Sequence, residues 1–263
     1  IIGSSAVFGA GASSDANTIA SYLSKFSNKY WLNYGGRAYN STQEMILTTL
    51  FLPNNIDNVI VFSGVNNLTL SIISEFSSPY LNSFFSQSVF EKSMNNFNNQ
   101  IGFKNFIKNF FDYLKKRLTP KVKMQTTVQD FECVYNNSLN CFKRDLNVLK
   151  LLFAGKNKNL SFVLQPLCTW IPKTLSSEEV DIFKELDLLD DNFRVLANNI
   201  SDIKSRYFKD IKSICQSMDV RFYNLNLEKE LTTNKWLFVD RVHMTDEGYK
   251  LVAKILNNNL IKD

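Results

Sequence analysis

Short apolar runs that end at small or polar residues recur in this sequence and limit the folds open to it. Val59–Ser63 is apolar up to its last residue, and Gly64 follows it. A run without alternating polar residues is typical of a strand at the centre of a parallel sheet, where helices cover both faces. Leu160–Gln165, which Pro166 follows, and Val220–Tyr223 predict two further strands of this kind.

Helical patterns separate these runs. Ile1 and Ile2 predict the end of a first strand and Tyr30–Tyr34 predicts a second, and helices are expected near residues 127–155, 176–187 and 192–217. Strands that alternate with helices of this length favour an α/β fold. We therefore expect a three-layer αβα arrangement with a five-stranded, parallel, flavodoxin-like sheet. We expect residues 1–263 to form a single domain.

Residues 69–126 do not follow this pattern and are rich in Phe, Ser and Asn. We interpret them as an inserted helical and loop segment, with a helix near Phe103–Leu118. Four phenylalanines of the segment show no sustained period: Phe84, Phe85, Phe90 and Phe97. The segment is either a lid or specificity element, or a small satellite core beneath a long loop.

Composition excludes several function classes. The net charge of +5 is mild, and no dense Lys/Arg block supports nucleic-acid binding. No apolar run approaches the roughly 18 residues that predict a transmembrane segment. The four cysteines are too scattered for a zinc site or a disulfide framework, and no cofactor-binding motif is present, so we expect neither a metal nor a cofactor. The chain begins at Ile1 without methionine, which favours a lost upstream segment; the compartment stays open, with the cytoplasm favoured.

The only histidine of the chain, His243, lies close to its end. A lone histidine is more often structural than catalytic, but Asp240 precedes it by three residues, where a carboxylate can hold the imidazole in one tautomer. Thr245 is a good helix N-cap, and Met244 and Tyr249 have the spacing of a hydrophobic staple. We therefore expect the histidine on a short, firmly held loop, where it can act as a general base.

Three other stretches come directly after predicted strands. Gly3-Ser-Ser5 follows the first, Gly35–Asn40 follows the second and precedes a predicted capping box at Ser41–Glu44, and Gly64–Asn67 follows the third. In a parallel sheet the binding crevice lies at the carboxyl ends of the strands. Ser5, Ala38, Asn66 and His243 are therefore expected to meet at one edge of the sheet.

These four stretches resemble the SGNH (GDSL-type) hydrolase family, in the family's order and over most of the chain. The resemblance implies that Ser5 is the nucleophile and that Asp240 and His243 complete its triad. It implies an oxyanion hole made by the Ser5 N–H, the Asn66 amide and one N–H from Asn33–Ser41. Ala38 is the favoured source of the last donor, and Gly35 and Gly36 are the alternatives.

The sequence departs from the family's pattern at three positions. Ser4 and Asn67 each replace an aspartate, and Ala38 stands where a glycine is expected. An alanine retains the N–H but is disfavoured if the position requires a positive φ.

The resemblance implies a serine esterase that cleaves a small acyl group, with O-acetyl expected, from a carbohydrate or small metabolite. Two alternatives stay open. One is an O-acyltransferase in which a sugar hydroxyl replaces water as the acceptor. The other is a degenerate member that binds a glycan or a protein partner without turnover. The natural substrate and the oligomeric state stay open.

Overall fold

The computed structural model describes residues 1–51, 55–73, 128–154, 159–189 and 192–261. None of the helices in these ranges could serve as a membrane span. The predicted helix at Phe103–Leu118 and the four phenylalanines of the expected insertion lie outside the described residues.

Five parallel strands form one sheet with the order β2-β1-β3-β4-β5. The strands are β1 (Ile2–Gly3), β2 (Tyr34–Gly35), β3 (Asn58–Ser63), β4 (Asn159–Leu164) and β5 (Arg221–Asn224). β3 and β4 pair over their full length, from Asn58 opposite Asn159 to Ser63 opposite Leu164. This strand order is that of flavodoxin-like sheets, as predicted.

Helices cover both faces of the sheet. They are α1 (Ser5–Phe8), α2 (Ile19–Ser27), α3 (Ser41–Leu50), α4 (Val65–Ile73), α5 (Val128–Phe153), α6 (Ser177–Leu189), α7 (Asn192–Asp202), α8 (Lys204–Ser217) and α9 (Asp246–Leu256). Short 3₁₀ turns at Asp15–Asn17, Leu225–Leu227 and Lys229–Thr232 and a π-helical turn at Asn257–Ile261 complete the described elements.

Alternate side chains of β3 divide the core into two halves. Ile60 and Phe62 pack in one half with apolar residues of α2 and α9. Val59 and Val61 pack in the other half with apolar residues of α5 and α8. Because successive side chains of a strand point to opposite faces, a fully apolar strand requires cover on both sides. The predicted three-layer fold is confirmed.

Three predicted boundaries are wrong. The second strand was expected at Tyr30–Tyr34, but β2 is Tyr34–Gly35, because its partner β1 offers only two residues, which pair with Tyr34 and Gly35. The helix expected over residues 192–217 is interrupted at Ile203 (φ −98°, ψ 2°). Residues 69–73 do not open an irregular insertion, because they continue α4 to Ile73.

Candidate active site

Ser5 lies just past the carboxyl end of β1, which pairs with β2 on one side and with β3 on the other. The strand ends at Gly3, where an added Cβ would lie 2.3 Å from the Phe62 carbonyl oxygen, so only glycine allows this approach to β3. Ser4 is extended (φ −90°, ψ −151°), and Ser5 then opens the short helix α1. The N–H groups of a first helical turn have no partner within the helix. The Ser5 N–H and its partly exposed side chain therefore both lie at the edge of the sheet.

The structure brings Ser5, His243 and Asp240 into one hydrogen-bonded row. His243 Nε2 lies 2.7 Å from Ser5 Oγ, and His243 Nδ1 lies 2.6 Å from Asp240 Oδ2. A carboxylate can only accept, so Nδ1 carries the proton and Nε2 accepts the hydroxyl proton of Ser5. An imidazole in this tautomer can remove the proton from the serine hydroxyl. The His243 side chain is 25% exposed.

Asp240 is held as a carboxylate by three donors. Its Oδ1 accepts the N–H of Val242 and the N–H of His243, both at 2.7 Å, while Oδ2 accepts Nδ1–H of the ring. Burial on its own raises the pKa of Asp240, but the hydrogen bond and charge of His243 and the two backbone N–H groups outweigh it, so the pKa is lowered overall. The ring therefore faces a charged partner at neutral pH.

The loop that carries His243 is folded back on itself. Phe238 and Met244 form an antiparallel bridge, and the Val239 N–H donates to the His243 carbonyl at 3.0 Å. Thr245 is the N-cap of α9, as predicted, and its hydroxyl accepts the Gly248 N–H at 3.1 Å. Met244 and the later Tyr249 are buried in the same core, as the predicted staple requires.

Direct contacts join the chain after Ser5 to the helix after His243. The Tyr249 hydroxyl donates to the Ala10 carbonyl at 2.5 Å. Asp246 accepts the Ser13 N–H at 2.8 Å and the Asn17 side-chain amide at 2.9 Å. Ser5 and His243 are 238 residues apart in sequence, yet these contacts hold their two segments together.

Sequence reasoning missed a buried ion pair behind the histidine loop. Glu179 Oε1 accepts the N–H of Leu237 at 3.0 Å and that of Phe238 at 3.1 Å. The Lys173 ammonium lies 2.5 Å from both carboxylate oxygens, and neither side chain is exposed. Lys173 and Glu179 lie far from every recognisable motif, and their spacing gives no sign that they meet residues 237 and 238.

Sequence reasoning also missed an ion pair made by Arg241, the residue that directly follows Asp240. The Arg241 guanidinium donates two hydrogen bonds of 2.8 Å to Asp187 on α6 and lies 5.1 Å from the centre of the Phe183 ring. Such two-pronged arginine–carboxylate contacts fix orientation as well as charge. The loop is thus held to α6 immediately beside Asp240.

Ala38 adopts the left-handed conformation, with φ of +58°. This is the conformation in which alanine is disfavoured relative to glycine.

The capping box that follows begins one residue before the predicted one. Asn40 is the N-cap of α3 and Gln43 its reciprocal partner, in place of Ser41 and Glu44. The prediction failed because asparagine caps as well as serine does.

The N–H groups of the two alternative glycines are already used. The Gly35 N–H donates to Asn33 Oδ1 at 2.9 Å, and the Gly36 N–H donates to the Gly3 carbonyl at 3.1 Å. Within the described ranges the Ala38 N–H has no hydrogen-bond partner, and the residue is exposed. Of the three N–H groups considered from the sequence, only that of Ala38 is therefore available to a ligand.

Asn66 lies in the first turn of α4, directly after β3. Its Nδ2 donates one hydrogen to the Tyr39 carbonyl at 2.8 Å, next to Ala38. A side-chain amide has two N–H groups, so a second donor remains. The structure therefore places Ser5, Ala38 and Asn66 after the adjacent strands β1, β2 and β3.

Both residues that replace an expected aspartate are buried. The Ser4 hydroxyl lies 3.4 Å from Gln165 Oε1, a weak contact. Asn67 is bonded to Ser41 through both atoms of its amide. Neither substitution removes a group from the row formed by Ser5 and His243.

Two concavities of the described surface lie elsewhere. One of about 510 Å³ lies beside α6 and Arg241, and one of about 340 Å³ lies beside Ile1, Trp31 and Phe153. Ser5 and His243 line neither of these two. The described ranges contain no cluster of three or more His, Cys, Asp or Glu side chains suited to a metal ion.

Comparison with known proteins adds little to this geometry. No protein-family model matches the sequence, and no curated protein matches it. Among solved structures, the chain is similar to the crystal structure of an acetyl xylan esterase, AlAXEase, at 14% identity and a TM-score of 0.47, over 99% of this chain and 98% of the other. A likeness at this level carries no argument about activity.

Proposed function

We propose that the protein is a serine esterase that removes a small acyl group, an O-acetyl group above all, from a carbohydrate or small metabolite. One observation carries the proposal: Ser5 Oγ, the His243 ring and the Asp240 carboxylate form a continuous row with contacts of 2.7 and 2.6 Å. A serine, a base and an orienting carboxylate in this order activate a hydroxyl for nucleophilic attack.

In the first half-reaction Ser5 Oγ attacks the ester carbonyl carbon while His243 Nε2 takes the hydroxyl proton. The imidazolium that forms is stabilised by Asp240, whose lowered pKa keeps it charged. His243 then returns the proton to the departing alcohol as the C–O bond of the ester breaks. The acyl group remains on Ser5.

The negative oxygen of the tetrahedral intermediate accepts from the Ser5 N–H, the Ala38 N–H and the second Asn66 N–H. The support is that these donors lie at the ends of three adjacent strands and that no described residue uses the first two. Losing one such donor typically costs about 2.7–4 kcal/mol of transition-state stabilisation.

In the second half-reaction water attacks the acyl-enzyme, again with His243 as base. The partial exposure of the His243 ring supports access by water. The resemblance of the four stretches to SGNH hydrolases supports the small acyl group and the carbohydrate or metabolite substrate.

The test uses p-nitrophenyl acetate and a longer-chain p-nitrophenyl ester, with purified wild-type protein and Ser5→Ala. We expect release of p-nitrophenol by the wild type, faster for the acetate, and none above background for the variant. Addition of sugar acceptors distinguishes transfer from hydrolysis, since transfer yields an acylated sugar in place of free acid. Hydrolysis that persists in Ser5→Ala contradicts the proposal.

A further inference from the structure

A buried carboxylate outside the proposed triad lies beneath the proposed oxyanion hole. Asp145 is on α5, and its side chain is 0% exposed. Its Oδ2 accepts the hydroxyls of Ser41 at 2.7 Å and Thr42 at 2.8 Å. Its Oδ1 accepts Nε–H of Arg144 at 2.7 Å. A buried charge is costly unless it is paired and hydrogen-bonded, so these partners hold Asp145 in place.

Ser41 extends this network to Asn67. The Ser41 N–H donates to Asn67 Oδ1 at 2.9 Å, and Asn67 Nδ2 donates to Ser41 Oγ at 2.7 Å. Because Asn67 donates to the Ser41 hydroxyl, the single proton of that hydroxyl is left for Asp145. The Ser41 N–H fixes the orientation of the Asn67 amide, and the Asp145 carboxylate accepts the hydroxyl proton of Ser41, so each hydrogen bond in the row from Asp145 through Ser41 to Asn67 has one direction.

Ser41 and Asn67 of this row lie next in sequence to the segments that carry the proposed oxyanion donors. Ser41 opens α3 three residues after Ala38, and Asn67 directly follows Asn66. The Asn66 amide in turn donates to the Tyr39 carbonyl at 2.8 Å. Two contacts therefore join the chain around the start of α3 to the first turn of α4. One is the pairing of Ser41 with Asn67, and the other is the bond from Asn66 to Tyr39.

We propose that Asp145 is a positioning residue for the oxyanion hole, acting through Ser41 and Asn67 to hold the Ala38 N–H and the Asn66 amide in register. This inference rests on the proposed function. Ala38 is in the left-handed conformation, which is unfavourable for an L-residue that carries a Cβ. Such a conformation persists only where the surrounding structure fixes it. The row from Asp145 supplies that constraint on the α3 side.

The first experiment compares Asp145→Asn with Thr42→Val. Asp145→Asn keeps the shape of the side chain but replaces one accepting oxygen with a donating amide group. The Ser41 hydroxyl then faces a donor where it had an acceptor. We expect kcat for an acetyl ester to fall about 10- to 100-fold with little change in KM, because a small displacement of catalytic groups is enough for such a loss. Thr42→Val removes the other hydroxyl bonded to the same oxygen but leaves the Ser41–Asn67 contacts intact. It should keep kcat close to that of the wild type.

A reversal of the row gives a sharper test. In Asn67→Asp both oxygens at position 67 accept, so the Ser41 proton turns toward that position. In Asp145→Asn the new amide can donate to Ser41 Oγ. The double variant N67D/D145N therefore restores the Ser41 hydrogen bonds with their direction reversed, while the Thr42 hydroxyl loses its acceptor at position 145. We expect each single variant to lose kcat and the double variant to recover at least part of it, which a general loss of packing does not explain.

Labelling of Ser5 by a fluorophosphonate separates failure of this inference from failure of the proposed function. The phosphoryl oxygen of the probe needs the same donors as an ester carbonyl, so its labelling rate should fall in Asp145→Asn and not in Thr42→Val. If the wild type is labelled but hydrolyses no ester, the proposed function fails while the positioning of Asp145 is still measured. If Asp145→Asn does not fold, Ser41→Ala replaces it, with the same expected loss.

The pH dependence supplies a readout that a damaged triad would change. Because Asp145 contacts neither His243 nor Asp240, the apparent pKa in the kcat/KM profile should stay at its wild-type value in the folded variants. Wild-type kcat and labelling rate in folded Asp145→Asn or Ser41→Ala overturn the inference. So does a shifted profile, or a double variant worse than both single variants.

Discussion

The histidine side of the candidate site and its oxyanion side differ in how far they are complete without substrate. On the histidine side, both ring nitrogens of His243 and both oxygens of Asp240 have partners. On the oxyanion side, the Ala38 N–H has none among the described residues, and the Asn66 amide keeps one hydrogen available. In the proposed function, the first region is arranged to activate Ser5. The second offers donors that a ligand oxygen can accept from.

Charged pairs hold both sides, and the proposed oxyanion side also contains a buried carboxyl that is neutral. Charged pairs support the histidine loop, through Glu179 with Lys173 and through Arg241 with Asp187. On the oxyanion side, Glu44 of α3 is bonded to the Ser63 hydroxyl at 2.7 Å, and burial raises its pKa to about 8. That carboxyl is therefore neutral at neutral pH. The predictions that follow test this contrast.

The largest effect is expected when the base is removed. His243→Ala should lower kcat/KM on the order of 10⁶-fold, and Asp240→Asn should lower it about 10⁴-fold. The asparagine is the milder change because the base itself remains. It is still severe, because three donors face Asp240 and an amide offers only one oxygen. Steady-state kinetics on folded variants measure the ranking, and equal losses contradict it.

The next effect concerns the buried ion pair. Glu179→Gln leaves the Lys173 ammonium buried without its counter-charge and should destabilise the protein by about 3–5 kcal/mol. Asp187→Asn breaks a pair whose carboxylate is 23% exposed, and we expect a loss of about 1 kcal/mol or less. Denaturant unfolding monitors both variants. Similar losses of unfolding free energy in the two variants would mean that the burial of an ion pair does not decide how much it stabilises the protein.

Removal of one oxyanion donor should affect catalysis rather than the fold. Asn66→Ala should lower kcat by about 10²- to 10³-fold and leave KM nearly unchanged. Ala38→Gly is the matched change, because it keeps the N–H and relieves the positive φ. It should retain activity. Loss of activity in Ala38→Gly together with full activity in Asn66→Ala would remove both residues from the proposed oxyanion hole.

The smallest effect is a dependence of stability on pH. The pKa of Glu44 is raised from its ordinary 4.5 to about 8 in the folded protein. Protonation of Glu44 therefore stabilises the fold, and this contribution is complete below pH 4.5 and is lost as the pH rises to about 8. Glu44→Gln cannot lose it, so the Tm of the variant relative to the wild type should rise as the pH increases across that window. A difference that does not vary with pH contradicts the assignment.

The fold could be predicted from the sequence because its cues are local. Val59–Ser63 requires cover on both faces, and Thr245 with Met244 and Tyr249 defines the start of α9. The triad candidates follow from the same logic, since strand ends of a parallel sheet share an edge. These inferences needed only residue type and spacing.

The supports of the site could not be predicted in that way. Asp145 contacts Ser41 across 104 positions, and Glu179 contacts Leu237 across 58. No periodicity or motif joins such residues, because their proximity arises from helix packing. The conformation of Ala38 also depends on its surroundings, since alanine on its own disfavours a positive φ.

The central claim is that Ser5 carries the acyl group during turnover. Rapid acid quenching of wild-type protein during hydrolysis of p-nitrophenyl acetate, followed by peptide mass spectrometry, tests it directly. The account predicts one acetyl group on the peptide that contains Ser5, its loss on further incubation, and its accumulation when deacylation is slowed at low pH. Turnover without any acetylated Ser5 peptide, or an acetyl group that persists on another residue, would contradict the account.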